Sequence, residues 1–578
     1  MIPPGEKIVE TKKCRLSGKE FVVTDKDLEF YNKISPLIGG EKFNIPLPTL
    51  CPEERSMRRL SRRNEKSFYQ RKCDKTGESI ISGFSPQKPF PVYSQNAWLW
   101  DSWSPYDYGF SYDFEKNAFE QFLKLQNVVP HIALENVANE NSPYVSHSAW
   151  NKDCHLIFYS DKNERCMYLN NSFHNKDCFD SSYILRCEQT YGSHNCRDSY
   201  RLFFSKDCHE CRDSYFLESC SWCHDCFGCV GLKNKSYHLF GQSLSETEYR
   251  QKISELKLTT ESSLEKVQKV IYQKNLHIPR RHMVWTKNEN CFWDALSECA
   301  NIFEWYYLEK SSDCRYIQDS QRCRDCMDMS GWGGSWVELV YECASVWDGA
   351  YNIIFSNTIW DGQKNSLYSE WCGGWENCLL SIGVRKWKNV ILNKSYGQEE
   401  YETLSQKIIE HMVQSGEWWE FFPVEHSPFF YNETTAYDYY PLSNSEIQKR
   451  GWWIKEESDK YSGSNYTPLT LDNYDEKNVG YEIAQKNIET LLSATLVCTL
   501  SGKAFKITKQ ELLFYLQNNL PIPTKHYEQR HKTRMWNQNK RELYNRNCAE
   551  CSRDMITTYS PERQEKVVCE ECYRKLVY

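Results

Sequence analysis

Four cysteines near the C-terminus carry the clearest chemistry in the chain: Cys548-x-x-Cys551 and Cys569-x-x-Cys572, two knuckles with seventeen residues between them. Thiolates at this spacing supply a closed tetrahedral zinc site, and one ion there substitutes for a core that so short a tail lacks. Because sulfur fills every coordination position, the pattern predicts a structural zinc rather than a catalytic one.

The same signature recurs in weaker forms. CRLSGKEF from Cys14 returns as CTLSGKAF from Cys498, Cys73 faces Cys548, and FSP at 84–86 faces YSP at 559–561, so the two ends of the chain are duplicates. The N-terminal counterpart of the intact site keeps only Cys73, with Thr76, Ser94 and Ala97 at the other ligand positions. The earlier knuckles read Cys14-x-x-Ser17 with Cys51-x-x-Glu54, and Cys498-x-x-Ser501 with His526-x-x-Gln529. Cys14, Cys51, Cys498 and His526 are therefore secondary metal-ligand candidates, two per half-site; the alternative is that hydrogen bonds fill these places.

Beside each knuckle runs a basic segment. Between Glu53 and Lys72 stand Arg55, Arg58, Arg59, Arg62, Arg63, Lys66, Arg71 and Lys72, against three glutamates; Lys525 to Arg546 has a similar surplus, including Arg530, Arg534, Lys540 and Arg541. Pro52 at a first helical position and spacings of three and four place Arg55, Arg58, Arg59, Arg62 and Lys66 on one helix side. Such a row can neutralise phosphates, with Phe68, Tyr69, Trp536 and Tyr544 available for stacking. The competing reading is a solvated helix face.

Between the ends lie two cysteine-rich arrays. In the first, CFDSSY, CRDSY and CRDSY begin at Cys178, Cys196 and Cys211, a self-similarity too short for any one copy to bury a face alone. Short runs of Tyr, Phe, Ile and Leu punctuated by Asn, Asp and Ser suit a small-coil β-solenoid. Residues three apart in a straight strand point to opposite faces, so Cys220, Cys223, Cys226 and Cys229 can all point inward only if turns fall between them. An inward thiol ladder, zinc between coils and an iron–sulfur cluster all remain open for these cysteines, but the second array has Ser381 opposite Cys229. The histidines at 147, 155, 174, 194, 209 and 224 form no catalytic pairing that one sequence can argue, and no phosphate-binding glycine loop or nucleophile elbow occurs.

The chain thus reads as mainly β with α elements: two duplicated cysteine-rich β-solenoid arrays flanked by duplicated small zinc-ribbon and basic-helix domains. Its expected parts are an N-terminal knuckle and basic-helix domain with a degenerate zinc site (1–110), a first array (140–243), a helical spacer (244–283), a second array (284–396), a capping helix (397–411), an aromatic-rich linker (412–497) and a C-terminal zinc-ribbon domain (498–578). Ser245 with Glu248 forms a capping-box pattern at the spacer, and Ser443 to Arg450, closed by Gly451, reads as a short helix. The net charge of -7 argues against a globally basic nucleic-acid binder. With neither a signal-peptide core at the start nor a long apolar run, the expected place is the cytoplasm, without a membrane, and the 27 cysteines are expected as reduced thiols or metal ligands.

Taken with IPLPTLCPEER, RRNEK, CDKTGES, ENSPY at 140–144, SPFFYNET at 427–434 and YSPERQEKVVCEECY, these motifs resemble a family of uncharacterised cysteine-rich proteins of candidate-phyla (Patescibacteria-type) bacteria, over nearly the whole chain. The resemblance implies no established activity. A type III CoA-transferase label attached to such proteins finds no CoA-binding or catalytic Asp context in this sequence, and Ser94 and Ala97 depart from the family pattern. The expectation is a non-enzymatic zinc-binding scaffold whose basic helices bind RNA or a ribonucleoprotein. A docking solenoid that recruits a protein along its aromatic edges, with structural zinc only, is the alternative, and an enzyme the third.

Overall fold

A backbone that turns a left-handed corner at every third residue winds the array into a four-sided coil of twelve residues. The computed structural model describes residues 5–577 apart from 457–487 and the short stretches 257, 259, 284, 287, 293–295, 334–336, 348, 361, 375, 540 and 541. Trp150, Asp153, Leu156, Tyr159, Lys162 and Arg165 in succession have φ between 50° and 55°. Left-handed backbone costs an L-residue roughly 1–2 kcal/mol, so such corners persist only where the surroundings fix them. Here the neighbouring coils do so: the Arg165 amide donates to Lys152 O and the Glu164 amide to Asn175 O, both at 2.9 Å. Lys152, Glu164, Lys176, Glu188 and Tyr200 follow one another as parallel-ladder partners.

Each coil turns four side chains inward. Cys154, Ile157, Ser160 and Asn163 fill one coil, and Cys166, Leu169, Ser172 and Asn175 the next, all buried. The polar ones are satisfied within the stack: Ser160 Oγ donates to Phe158 O at 2.8 Å and accepts the Ser172 amide at 3.0 Å. Cysteine does the same, with Cys166 Sγ donating to Glu164 O at 3.3 Å and accepting the Cys178 amide at 3.4 Å. An inward slot therefore takes serine or cysteine interchangeably, which is why the second array can replace thiols. Asparagines form their own column, Asn175 Nδ2 to Asn163 Oδ1 at 2.9 Å and Asn163 Nδ2 to Asn151 Oδ1 at 3.0 Å. Cys220, Cys223, Cys226 and Cys229 line one entire coil, as the need for intervening turns required.

The chain divides into two compact units, neither contiguous in sequence. One joins residues up to Glu135 with Met283–Lys455, so the N-terminal modules belong with the second array. In that array Ser312–Gln321, Cys323–Gly333 and Val337–Val346 stack in parallel, with the same left-handed corners at Asp313, Tyr316, Asp319, Arg322, Asp325 and Asp328. Helix Asp25–Ile34 starts with a Thr24–Asp27 capping box, and helix Pro52–Leu60 with Pro52. An outer column of Asn352, Asn365, Asn377 and Asn389 is closed by Gln398, the first residue of helix Gln398–Ser415, which thus caps the ladder. The aromatic stretch after this helix is core: Trp418, Phe421, Phe422 and Tyr431 are all buried. The short helix expected from Ser443 is Asn444–Lys449, and Ser443 and Glu446 form a capping box at its start. Most of the polar stretch that follows lies outside the described residues.

The other unit joins Asn136–His282 with the C-terminal region from Glu456. Its solenoid presents a column of large apolar side chains, Met167, Phe179, Tyr191 and Phe203, against which Phe514, Tyr515 and Leu520 pack; Phe179 and Phe514 stack at 4.1 Å. Helix Glu246–Glu255 begins with the Ser245–Glu248 capping box, and helix Glu261–Asn275 follows.

Candidate metal centre and the basic helices

The C-terminal cysteines meet. Hairpin Tyr544–Asn547/Asp554–Thr557 carries Cys548 and Cys551 at its turn, strand Val567–Val568 leads to Cys569, and Cys572 sits in the first turn of helix Glu570–Val577. The four Sγ atoms lie within 4.8 Å of one another, the one group of three or more such ligands found among the described residues. Burial works against ionising Cys548, but amide N–H groups of Cys551, Cys569 and Glu550 outweigh it and bring the thiol down to about 6. Burial, and then hydrogen bonding with Cys551, Cys569 and Cys548, pushes Cys572 up to about 12. A cation at the centre of these sulfurs would relieve that crowding. The donor set can hold a metal ion, closed on all sides by thiolate.

Three further knuckles share this local build. Cys73 Sγ accepts amides from Ser94 at 3.2 Å and Thr76 at 3.4 Å, as Cys548 accepts that of Cys569 at 3.2 Å. Cys498 accepts the Ser501 amide at 3.4 Å, and Cys14 is surrounded by amides of Ser17, Cys51 and Leu16. In Cys14, Cys73 and Cys498, burial opposes ionisation, yet Ser17, Thr76 or Ser501 and these amides lower the thiol pKa. What differs is the ligand count. At Cys51 the neighbour is Ser17 Oγ at 3.8 Å, and Glu54 faces Arg450 at 2.9 and 3.1 Å instead of the knuckle. His526 Nδ1 accepts the Glu528 amide at 3.3 Å, capping a helix, and Ser94 Oγ likewise accepts the Ala97 amide at 3.4 Å. Of the positions without a ligand, Glu54 serves in a salt bridge and Ser94 as a helix cap.

The arginines face inward. The sequence placed Arg55, Arg58, Arg59, Arg62 and Arg63 on a phosphate-ready surface; all five are buried, and the helix ends at Leu60, so Arg62 and Arg63 lie beyond it. Arg55 Nε meets Asp328 at 2.8 Å, and Arg59 Nη1 meets Asp328 at 3.0 Å and Glu342 at 3.2 Å. Arg58 bonds Glu342 at 2.9 Å and Glu420 at 2.6 Å, Arg62 bonds Glu370 at 2.7 Å, and Arg63 bonds Glu65 at 2.6 Å. Burial disfavours the Arg58 charge, but Glu342 and Glu420 hold its pKa above the ordinary value. The other unit repeats the arrangement: Arg530 and Arg534, four residues apart, grip Asp180 at 3.1 and 2.9 Å, as Arg55 and Arg59 grip Asp328. Arg530 also lies over the Tyr168 ring at 4.8 Å. Lys540 and Arg541 lie outside the described residues.

The carboxylates Asp328, Glu342, Glu370 and Asp180 were missed from sequence, although their solenoid positions were not hidden: Asp180 and Asp328 are corner residues at φ 48° and 55°, where Asp is favoured. No helix among the described residues is long and apolar enough to cross a membrane. No protein-family model matches the chain, and no curated protein matches it.

Proposed function

We propose that this protein is a non-enzymatic scaffold, stabilised by zinc at Cys548, Cys551, Cys569 and Cys572, that docks a protein partner on the uncovered sides of its first solenoid. Zinc is favoured by four sulfur donors without histidine or carboxylate. The observation that carries the docking reading is a division of labour around the coil. The side bearing Phe179, Tyr191 and Phe203 is packed, whereas another corner, on which Trp150, Lys162, His174, Arg186, Asp198, Glu210 and Trp222 recur at twelve-residue steps, opens to solvent. Trp150 and Trp222 are about half exposed, each beneath a lysine of the next coil, Lys162 and Lys233, both at 5.4 Å. Large aromatics held rigidly at the surface are typical binding anchors.

RNA or a ribonucleoprotein is the competing partner. The arginines that this reading relied on, Arg55, Arg58, Arg59, Arg62, Arg63, Arg530 and Arg534, bind carboxylates of their own chain, so the observations favour protein. Anisotropy titration of labelled RNA against the full chain at several salt concentrations separates the two. The scaffold reading expects no tight, salt-steep binding; an affinity falling steeply with salt would restore RNA. Metal analysis should give about one zinc per chain, and iron would overturn the assignment.

A further inference from the structure

The four sulfurs of the metal centre are not equivalent. The described residues include all 27 cysteines of the chain, and Cys551 is the one that is exposed; Cys548, Cys569 and Cys572 are buried with the rest. Cys548 Sγ accepts the Cys569 amide at 3.2 Å. Cys551 Sγ accepts none among the described residues; its neighbour is Cys569 Sγ at 3.8 Å. Arg553 Nη1 is turned to Glu571 at 3.2 Å.

A divalent ion with four thiolates leaves the centre with two excess negative charges, spread over the sulfurs. Amide hydrogen bonds draw charge from a sulfur and blunt its nucleophilicity, while burial denies access to a reagent. Both protect Cys548, and burial protects Cys569 and Cys572. Neither protects Cys551, the exposed member of the four.

We infer that Cys551 is a modification site: a zinc-activated acceptor of alkyl groups from soft alkyl electrophiles. The inference rests on the zinc reading above. The Cys551 sulfur attacks the electrophilic carbon, an S–C bond forms, the bond to the leaving group breaks, and that group departs with the electron pair; no proton is released, because the sulfur is already ionised. The product is a neutral thioether, a much poorer zinc ligand than thiolate. Its consequence lies in the strand between the knuckles. Val567–Val568 pairs in parallel with Arg280–Arg281, Glu570 bonds Arg281 at 2.8 Å, and Thr557 Oγ1 donates to His282 O at 2.7 Å. Weakening the metal at Cys551 thus loosens the attachment of the ribbon to the segment that follows the helical spacer.

The test uses zinc-loaded full-length protein, whose zinc content is measured first, treated with methyl iodide at pH 6 and mapped by peptide mass spectrometry while a colorimetric chelator reports zinc release. Methylation of Cys551 should run at least tenfold faster than at any other cysteine, zinc release should follow it, and prior zinc removal should slow it severalfold. Cys551→Ser should abolish the fast methylation. Methyl groups arriving first at Cys569, Cys572 or the array thiols, or unchanged labelling of Cys551 after zinc removal, would overturn the inference while leaving the zinc reading intact. Absence of zinc from the purified protein would instead overturn the reading on which it rests.

Discussion

Asp328→Asn tests the buried ion network directly. Asp328 is fully buried and receives Arg55 Nε at 2.8 Å and Arg59 Nη1 at 3.0 Å. The substitution keeps the shape but removes the charge, and leaves Glu342 to serve Arg55 at 3.8 Å, Arg58 at 2.9 Å and Arg59 at 3.2 Å. Stripping one partner from a buried pair costs about 3–5 kcal/mol, because the remaining charge keeps its desolvation penalty without its counterion. At about 2–4 °C per kcal/mol for a domain of 150–250 residues, the melting temperature should fall by about 10 °C. The internal comparison is Asp198→Asn, which removes an exposed partner of Arg186 at 2.5 Å and should cost about 1 kcal/mol or less. Thermal unfolding followed by far-UV circular dichroism, at low and high salt, reads both. If Asp328→Asn shifts stability by less than about 0.5 kcal/mol, as a substitution on a solvated face does, the arginines are not where the fold places them and the case against a phosphate-binding helix collapses.

Other consequences can be measured with the same material. Phe514→Ala removes the ring stacked on Phe179 at 4.1 Å and should cost about 3–5 kcal/mol, read from the urea midpoint. Cys166→Ser should be nearly neutral because serine fills such slots elsewhere, whereas Cys166→Val strands the Cys178 amide now accepted at 3.4 Å and should cost about 1–3 kcal/mol. His131, buried against Phe90, has its pKa lowered by burial to about 3. The unfolded chain therefore takes up a proton below pH 6.5 that the folded chain refuses, so stability holds above pH 6.5 and declines as pH falls towards about 3; His131→Gln should flatten that slope in urea titrations. Cys548→Ser should abolish metal binding, while Cys14→Ser and Cys498→Ser should leave the metal count unchanged by elemental analysis.

Composition and spacing alone determined the local features. Each rests on chemistry that operates within a few residues: the turns that let Cys220, Cys223, Cys226 and Cys229 face inward, the capping box at Ser245, the short helix after Ser443, and the C-x-x-C pairs at 548 and 569. The knuckle duplications were equally legible, because an amide nest around a thiol depends on the two or three residues after it. The partners of the arginines were not. Arg55 meets Asp328 across 273 residues and Arg534 meets Asp180 across 354, and nothing local separates a row of arginines aimed at phosphate from one aimed at carboxylates of its own chain. Only tertiary packing decides that, since the desolvated space between helix and solenoid sets which charges must be neutralised. For the same reason the grouping of the N-terminal modules with the second array and the C-terminal modules with the first could not be read from chain order. It follows from which aromatic and acidic corners of each solenoid match which helix.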